Sequence, residues 1–518
     1  MKLPTLSVYL RQPGPRPAFS AAALLLAAGL AGCASTAPTG FVPSEAMLAA
    51  IPTAWQAPLP HGGAGTELAR WWAGFSDPAL PTLVEAAQAA SPTLAVAIAR
   101  IERARATRVA AGAAALPQLD AVGSVSSGRN LPRQPSGTSA SLGLQAAWEI
   151  DLFGGVAAGR SAAQARLEGA QAGWHEARVS LAAEVAASYV ALRGCEAQQA
   201  QTQLDAASRE ETSRLTELSA RAGFTAPADA ALTRASAAQS RSLVLVRQAQ
   251  CETLVKSLVE VTALAEPALR LLLATGTATL PMPAAITVQA LPAELLAQRP
   301  DLAEAARNVV AAAGDRRSAE ARELPQVRLS GSLGGAGLRS AGITSSGSTW
   351  ALGPLLVSLP LFDGGSSAAN SVAARAEYAA AVAVYQAQVR RAVREVEAAL
   401  VALDSTARRQ QDAEAAARDF EASLVATQAR QRSGLGSLFD LEAARRNAVQ
   451  AQSALVELQT ERATAWISLY RALGGGWAVS EPAPVNRGVN GGVNTGVTTS
   501  ANTSANTSAT TVISSVQP

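Results

Sequence analysis

The chain has 518 residues, 48% hydrophobic but only 4% aromatic; it is too long for one ordinary core, and much of its apolar share is alanine, which suits close helix packing. Its 43 Lys+Arg against 40 Asp+Glu leave a net charge of +3, without the clustered basic excess of a nucleic-acid binder. With 2 His and 3 Met, a soft-metal relay, a metal centre or a nucleophilic triad lacks material.

Residues 1–32 read as a lipoprotein signal peptide. Lys2, Arg11 and Arg16 precede an apolar run from Ala21 to Leu30 that is too short to span a bilayer. These three cations account for the net charge, so the remainder is close to neutral. Leu30-Ala31-Gly32-Cys33 resembles the lipobox, whose cysteine is diacylated and becomes the new N-terminus; the alternative is an ordinary signal with a chance cysteine. Acyl chains on Cys33 would tether the chain to a leaflet, and Ala34 in place of Asp fits sorting to the outer membrane. Residues 33–65, rich in Pro and Gly, read as an extended strap. No later apolar run is long enough for a transmembrane helix, so any crossing falls to β-strands.

From Trp71 onward the chain repeats itself at an offset of about 210 residues. Ser91-Pro92-Thr93-Leu94 corresponds to Arg299-Pro300-Asp301-Leu302, with proline at each helix start. Leu116-Pro117-Gln118-Leu119 corresponds to Leu324-Pro325-Gln326-Val327, each leading into a strand-like run. Leu152-Phe153-Gly154-Gly155 answers Leu361-Phe362-Asp363-Gly364-Gly365, and Arg221-Ala222-Gly223 with Asp229 answers Arg432-Ser433-Gly434 with Asp440. Two repeats follow, at 66–285 and 286–478, each reading helix, strand, loop, strand, long helix, turn, long helix.

The strand candidates are 117–127, 140–151, 325–336 and 348–360, each pair joined by a Gly/Ser loop, and each is near the length that a tilted membrane strand needs. Their alternation is loose. Four strands cannot close a barrel, so the sheet must be shared with other copies; a trimer supplies twelve. The helices are plainer. Tyr378, Val382, Tyr385, Val389, Val393, Val396, Leu400 and Leu403 form one stripe at helical spacing. The Pro-free stretch from Val156 to Ala220 could run roughly 100 Å, a length that implies coiled-coil packing. Residues 479–518 are dominated by Asn, Thr, Ser, Gly and Val and read as a disordered tail; Asn502-Thr503-Ser504 there is read as composition.

The duplicated strand–strand–long-helix plan, the stretch Trp71-Trp72-Ala73-Gly74-Phe75-Ser76-Asp77-Pro78 and Arg299-Pro300-Asp301-Leu302 together resemble the TolC-like family, nearest its lipidated NodT-like branch. The resemblance covers residues 66–478. It implies a mainly α chain of long antiparallel hairpins forming an α-barrel. Four strands per chain would enter a twelve-stranded trimeric transmembrane barrel. It also implies a passive exit duct, lipid-anchored in the outer membrane and reaching into the periplasm. Its partners would be a periplasmic adaptor and a proton-driven inner-membrane transporter. No cofactor and no enzymatic activity are implied.

Such a duct works through openings and contact surfaces. In the family the helix–helix turns form the periplasmic tip, which assigns Arg221, Gly223, Asp229, Arg432 and Gly434 to adaptor contact. The plainer reading is compatible: each Gly ends a helix in the left-handed conformation and each Asp caps the next. Three copies of Asp440 around an axis would make an acidic aperture. The family often carries a second acid three residues on; here that position is Ala443, and Glu442 falls on a different face.

Cys195 and Cys251 lie equally far from Gly223 in sequence, so an antiparallel hairpin would set them side by side. In an oxidising compartment they would form a disulfide, and otherwise two buried thiols. Neither His61 nor His175 lies near a Cys or an acid cluster. Glu149 and Asp151 suggest a water-facing rim and a helix cap. Gly331 to Gly337 has the glycines of a phosphate loop but no Lys-Ser/Thr after them. Competing functions are a duct for metal ions or secreted proteins, and a non-conducting coiled-coil envelope lipoprotein. The paired strands speak against the last of these, since a spacer has no use for them.

Overall fold

The computed structural model describes residues 55–57, 68–75, 77–128, 136–283 and 298–477. The signal peptide 1–32, Cys33, nearly all of the 33–65 strap, His61 and the 479–518 tail lie outside these residues. After a 3-10 turn at Leu68–Phe75 come α1 (Ala79–Ala90), α2 (Pro92–Ala113), β1 (Gln118–Gly128), β2 (Gly137–Ile150), α3 (Gly155–Arg221), α4 (Pro227–Thr262) and α5 (Glu266–Leu273). The second half runs α6 (Pro300–Ala321), β3 (Gln326–Ser340), β4 (Ile343–Ser358), α7 (Ser366–Arg432) and α8 (Leu438–Ala472). Both halves share one order and nearly one set of lengths. The pair α2 and α6 have 22 residues each, α3 and α7 have 67 each, and α4 and α8 have 36 and 35.

The helix starts follow from local chemistry. Pro92 and Pro300 open α2 and α6, and the Ser91 hydroxyl accepts from Leu94 N at 3.3 Å. Where strand passes to long helix, a carboxylate satisfies orphan N–H groups. Asp151 accepts from Val156 N (3.1 Å) and Ala157 N (2.7 Å), and Asp363 from Gly365 N (2.9 Å) and Ser367 N (2.8 Å). Glu149 pairs with Arg328 at 3.5 Å on the adjoining strand.

The four strands form one antiparallel sheet in the order β1-β2-β3-β4, so β2 of the first half pairs with β3 of the second, from Ile150↔Val327 to Gly137↔Ser340. The register resolves the loose alternation into two faces. Leu119, Val125, Leu142, Leu144, Leu333, Trp350 and Leu352 share one face; Asp120, Ser124, Ser126, Ser139, Ser141, Gln145, Ser332 and Thr349 share the other. On the polar face Ser124–Ser141 and Ser126–Ser139 hydroxyls bond across strands at 2.8 and 2.7 Å. The apolar side chains are exposed.

The second hairpin departs from expectation. Residues 337–347, read as a Gly/Ser loop, lie almost wholly in strands, and β3 and β4 reach 15 and 16 residues. Ala341 and Gly342 make the whole turn at φ 51° and 81°, the twist that suits a two-residue hairpin. Gly331 to Gly337, the phosphate-loop look-alike, is therefore ladder.

The main apolar core lies well below the sheet. Trp71, Phe75, Leu80 and Leu83 pack with Val185, Tyr189 and Leu192 of α3, Val255 and Leu258 of α4, Leu400 of α7, and Trp466 and Leu469 of α8. Arg193, fully buried, ties this belt together. It donates to the carbonyls of Leu273 (3.0 Å) and Thr275 (2.7 Å), to Glu196 and to Tyr189 Oη, which itself donates to Asp77 at 2.6 Å. Arg299 does the same for the second half, bridging Asp301, Glu395 and the Ala472 carbonyl at 2.8 to 2.9 Å. Among the described residues no single helix is long and apolar enough to cross a membrane, and α1 meets α2 at 49°.

Candidate functional site

Each long helix ends at its turn in the same way. Gly223 (φ 80°) and Gly434 (φ 74°) take the left-handed conformation that other residues resist. Phe224 N bonds to Ser219 O and Gly223 N to Ala220 O; Leu435 N bonds to Arg430 O and Gly434 N to Gln431 O. This is the pair of bonds that satisfies the last carbonyls of a helix.

The two Asp residues behave differently from each other. Asp440 forms a capping box with Ser437, whose hydroxyl accepts from Asp440 N at 3.1 Å while Asp440 Oδ2 accepts from Ser437 N at 3.3 Å. Contact with the Ser437 hydroxyl and backbone N–H, and then the charge of Arg430, hold the exposed carboxyl of Asp440 below its ordinary pKa. Asp229 does not cap α4. It holds the same third helical position as Asp440, but Ala226 at the N-cap has no hydroxyl to complete a box, and α4 carries no side-chain cap bond. Its charge still faces the positive end of the helix. Arg221 makes an exposed pair with Glu217 at 2.8 Å, and Arg432 is exposed.

Cys195 and Cys251 are bonded to each other, with 5.6 Å between their Cα atoms. The bond joins α3 to α4 at the lower edge of the core belt.

The structure also brings together residues that the sequence did not connect; of these it singled out only Glu442, as lying on a different face from Asp440. Glu442, only 6% exposed, accepts from Arg209 Nη1 of α3 (2.8 Å), Ser236 Oγ of α4 (3.0 Å) and Arg445 Nη1 (2.6 Å). Arg445, 2% exposed, reaches back to Ser208 Oγ (2.9 Å) and Thr212 Oγ1 (3.0 Å) on α3. Arg209 also pairs with Asp205 at 2.8 Å. Asp205 Oδ1 and Arg445 Nε, both buried and unbonded, face one another at 4.0 Å. Burial pulls the pKa of Arg445 down, with the Arg209 charge adding to it against the pull of Glu442. This neutral cluster of two arginines and two acids fastens α8 to α3 and α4, so both hairpins end side by side at one tip. Ala443 leaves no second exposed acid, because Glu442 is turned inward. Phe224, Leu435 and Phe439 stand exposed at the turns, Phe224 at 87%; their only sequence signal is an apolar residue directly after the turn glycine, or one turn on.

A sheet with one apolar and one polar face, open at both edges and continued by paired helices of about 100 Å to a common tip, defines a membrane channel chain of the TolC-like plan. The chain belongs to the outer membrane efflux protein family, whose profile matches residues 83–263 and 291–475. It is 30% identical over 495 residues to Outer membrane protein OprJ of Pseudomonas aeruginosa, a match covering 91% of this chain and 99% of that protein. Nodulation protein T of Rhizobium leguminosarum bv. trifolii is 29% identical over 414 residues, 79% of this chain and 88% of that protein. The solved outer-membrane channel OprN superposes with a TM-score of 0.72 at 27% identity, covering 85% of this chain and 98% of its own. The protein is an outer-membrane efflux component.

Proposed function

We propose that three copies of this chain form the exit duct of a tripartite efflux pump, passing drugs or other small molecules from a periplasmic adaptor and inner-membrane transporter to the exterior. The observation that carries this is the sheet, with its apolar and polar faces and with β1 and β4 as edges. Hydrocarbon does not tolerate open edges. Pairing β1 of one copy with β4 of the next closes twelve strands, with the apolar face to lipid and the serine-rich face to water. Acyl chains on Cys33 add a second hold on the membrane.

At the far end Arg221, Gly223, Asp229, Arg432 and Gly434, with Phe224, Leu435 and Phe439 beside them, offer the adaptor a surface of exposed backbone and isolated apolar side chains. Three Asp440 carboxylates ring the narrowest point and favour cations. The buried Glu442 cluster holds each protomer's hairpins together near the tip. Single-channel recording in planar bilayers, with mass by light scattering, tests this reading. A trimer giving small, stable, cation-preferring steps is the expected result. A monomer without conductance would sink the duct and leave an envelope spacer.

A further inference from the structure

We infer that Glu397 is a clasp that fastens the N-terminal strap to the folded body, and that it does so on the second half of the chain. Glu397 lies on α7 between Val396 and Leu400, both in the main core. Its two carboxylate oxygens accept from two successive backbone N–H groups, Oε1 from Gln56 at 2.7 Å and Oε2 from Ala57 at 2.9 Å. Ala57 is buried in the same core, and Trp55 packs against it. One charged carboxylate thus takes both donors in a fork, the strong form of such a bond.

The strap's sequence leaves little choice of donors. Pro52, Pro58 and Pro60 have no N–H, and residues 55–57 sit between them. Because the bonds go to backbone, the clasp asks only for an acid at 397 and for residues other than proline at 56 and 57.

The position suits a tether. Glu397 lies some 31 residues into α7, about 45 Å from the end of the strands. The 23 or so residues from Cys33 to Gln56 reach at most about 80 Å, enough to return to the leaflet that borders the sheet. The clasp therefore turns the lipidated segment into a leash of set length, fixed on the helix that leads to the Asp440 turn. The leash role rests on acylation at Cys33; the clasp does not.

The test is limited thermolysin digestion of the purified, detergent-extracted full-length protein, with cleavage mapped by intact mass. Glu397→Ala should speed cutting in the clasped stretch around Trp55 by about tenfold, since the rate there follows the population of the released strap. Gln56→Pro removes one donor without touching α7 and should act in the same direction, which covers the case in which Glu397→Ala fails to assemble. Equal rates in the wild type and both variants would overturn the clasp. The same spectra read the anchor separately: a diacylglycerol mass that disappears in Cys33→Ser supports the leash, and its absence from the wild type removes the leash while the cleavage rates still judge the clasp.

Discussion

Asp440 closes a helix start, and under the proposed function it would also line an opening. Its carboxylate closes the capping box of α8, and Ser437 with Arg430 lowers its pKa. A carboxyl with a depressed folded pKa contributes fully above its unfolded value near about 3.9 and loses that contribution as pH falls through the lowered one. If three copies ring the opening, their mutual repulsion raises the carboxyls against this lowering, so the preference they confer should be lost only on the acid side of neutrality. Cation preference, read from reversal potentials in a salt gradient, should hold through neutral and alkaline pH and fade on the acid side as the carboxyls take protons. Asp440→Asn should weaken it at every pH. A preference that fades near neutrality would assign selectivity to another group.

At the scale of elements, the distal arm of the first hairpin packs on small side chains, whereas the second keeps a small apolar cluster of Leu424, Leu441 and Ala448. Between the disulfide and the turn, α3 and α4 bury Ala206, Ala230, Ala237, Ser213, Thr216, Thr233 and Ser240, while Leu204, Leu215 and Leu243 are exposed. Little apolar burial there leaves the Glu442 cluster as the main fastening between the two hairpins near the tip. Glu442→Ala would leave Arg209 and Arg445 buried without it, a loss on the order of 3–5 kcal/mol for a broken buried pair. That loss should open the tip locally without unfolding the core. Larger conductance steps and faster amide exchange at residues 205–240 are expected, with thermal unfolding of the core belt little moved. Unchanged steps and exchange would show that the cluster does not hold the tip. The turn of Glu442 away from Asp440 was legible in the sequence, but its partners were not, because Arg209 and Glu442 are 233 residues apart and no local pattern links them. The turn glycines, the paired cysteines and the helix starts at Pro92 and Pro300 were legible, because each is fixed by chemistry within a few residues or by symmetry about a turn. Asp229 misled because a capping box also needs a hydroxyl at the N-cap, where the first turn has Ala226 and the second has Ser437.

For the whole molecule, the repeat pattern announced four strands but not their pairing, and the pairing is what gives the sheet its two faces. The halves meet where β2 runs beside β3, and there Gly143 stands opposite Gly334. A Cβ on Gly334 would lie 2.6 Å from Leu142 O and 2.8 Å from Gly143 Cα, both backbone atoms that cannot rotate away. One residue further along the same strand the space opens: a Cβ on Gly335 would meet nothing nearer than Gly347 O at 3.8 Å, and its side faces with Leu142 and Trp350. Gly334→Val should therefore push β2 from β3 and split the sheet between the halves. Gly335→Val adds a β-branched residue to the apolar face and should be tolerated. If the sheet is one third of a closed barrel, splitting it removes closure and with it the assembly. Light scattering of the detergent-extracted proteins should then give trimer mass for the wild type and Gly335→Val, and smaller or aggregated species for Gly334→Val. Equal trimer from both variants would mean that the seam between the halves does not carry the barrel, and that assembly is held by the helices alone.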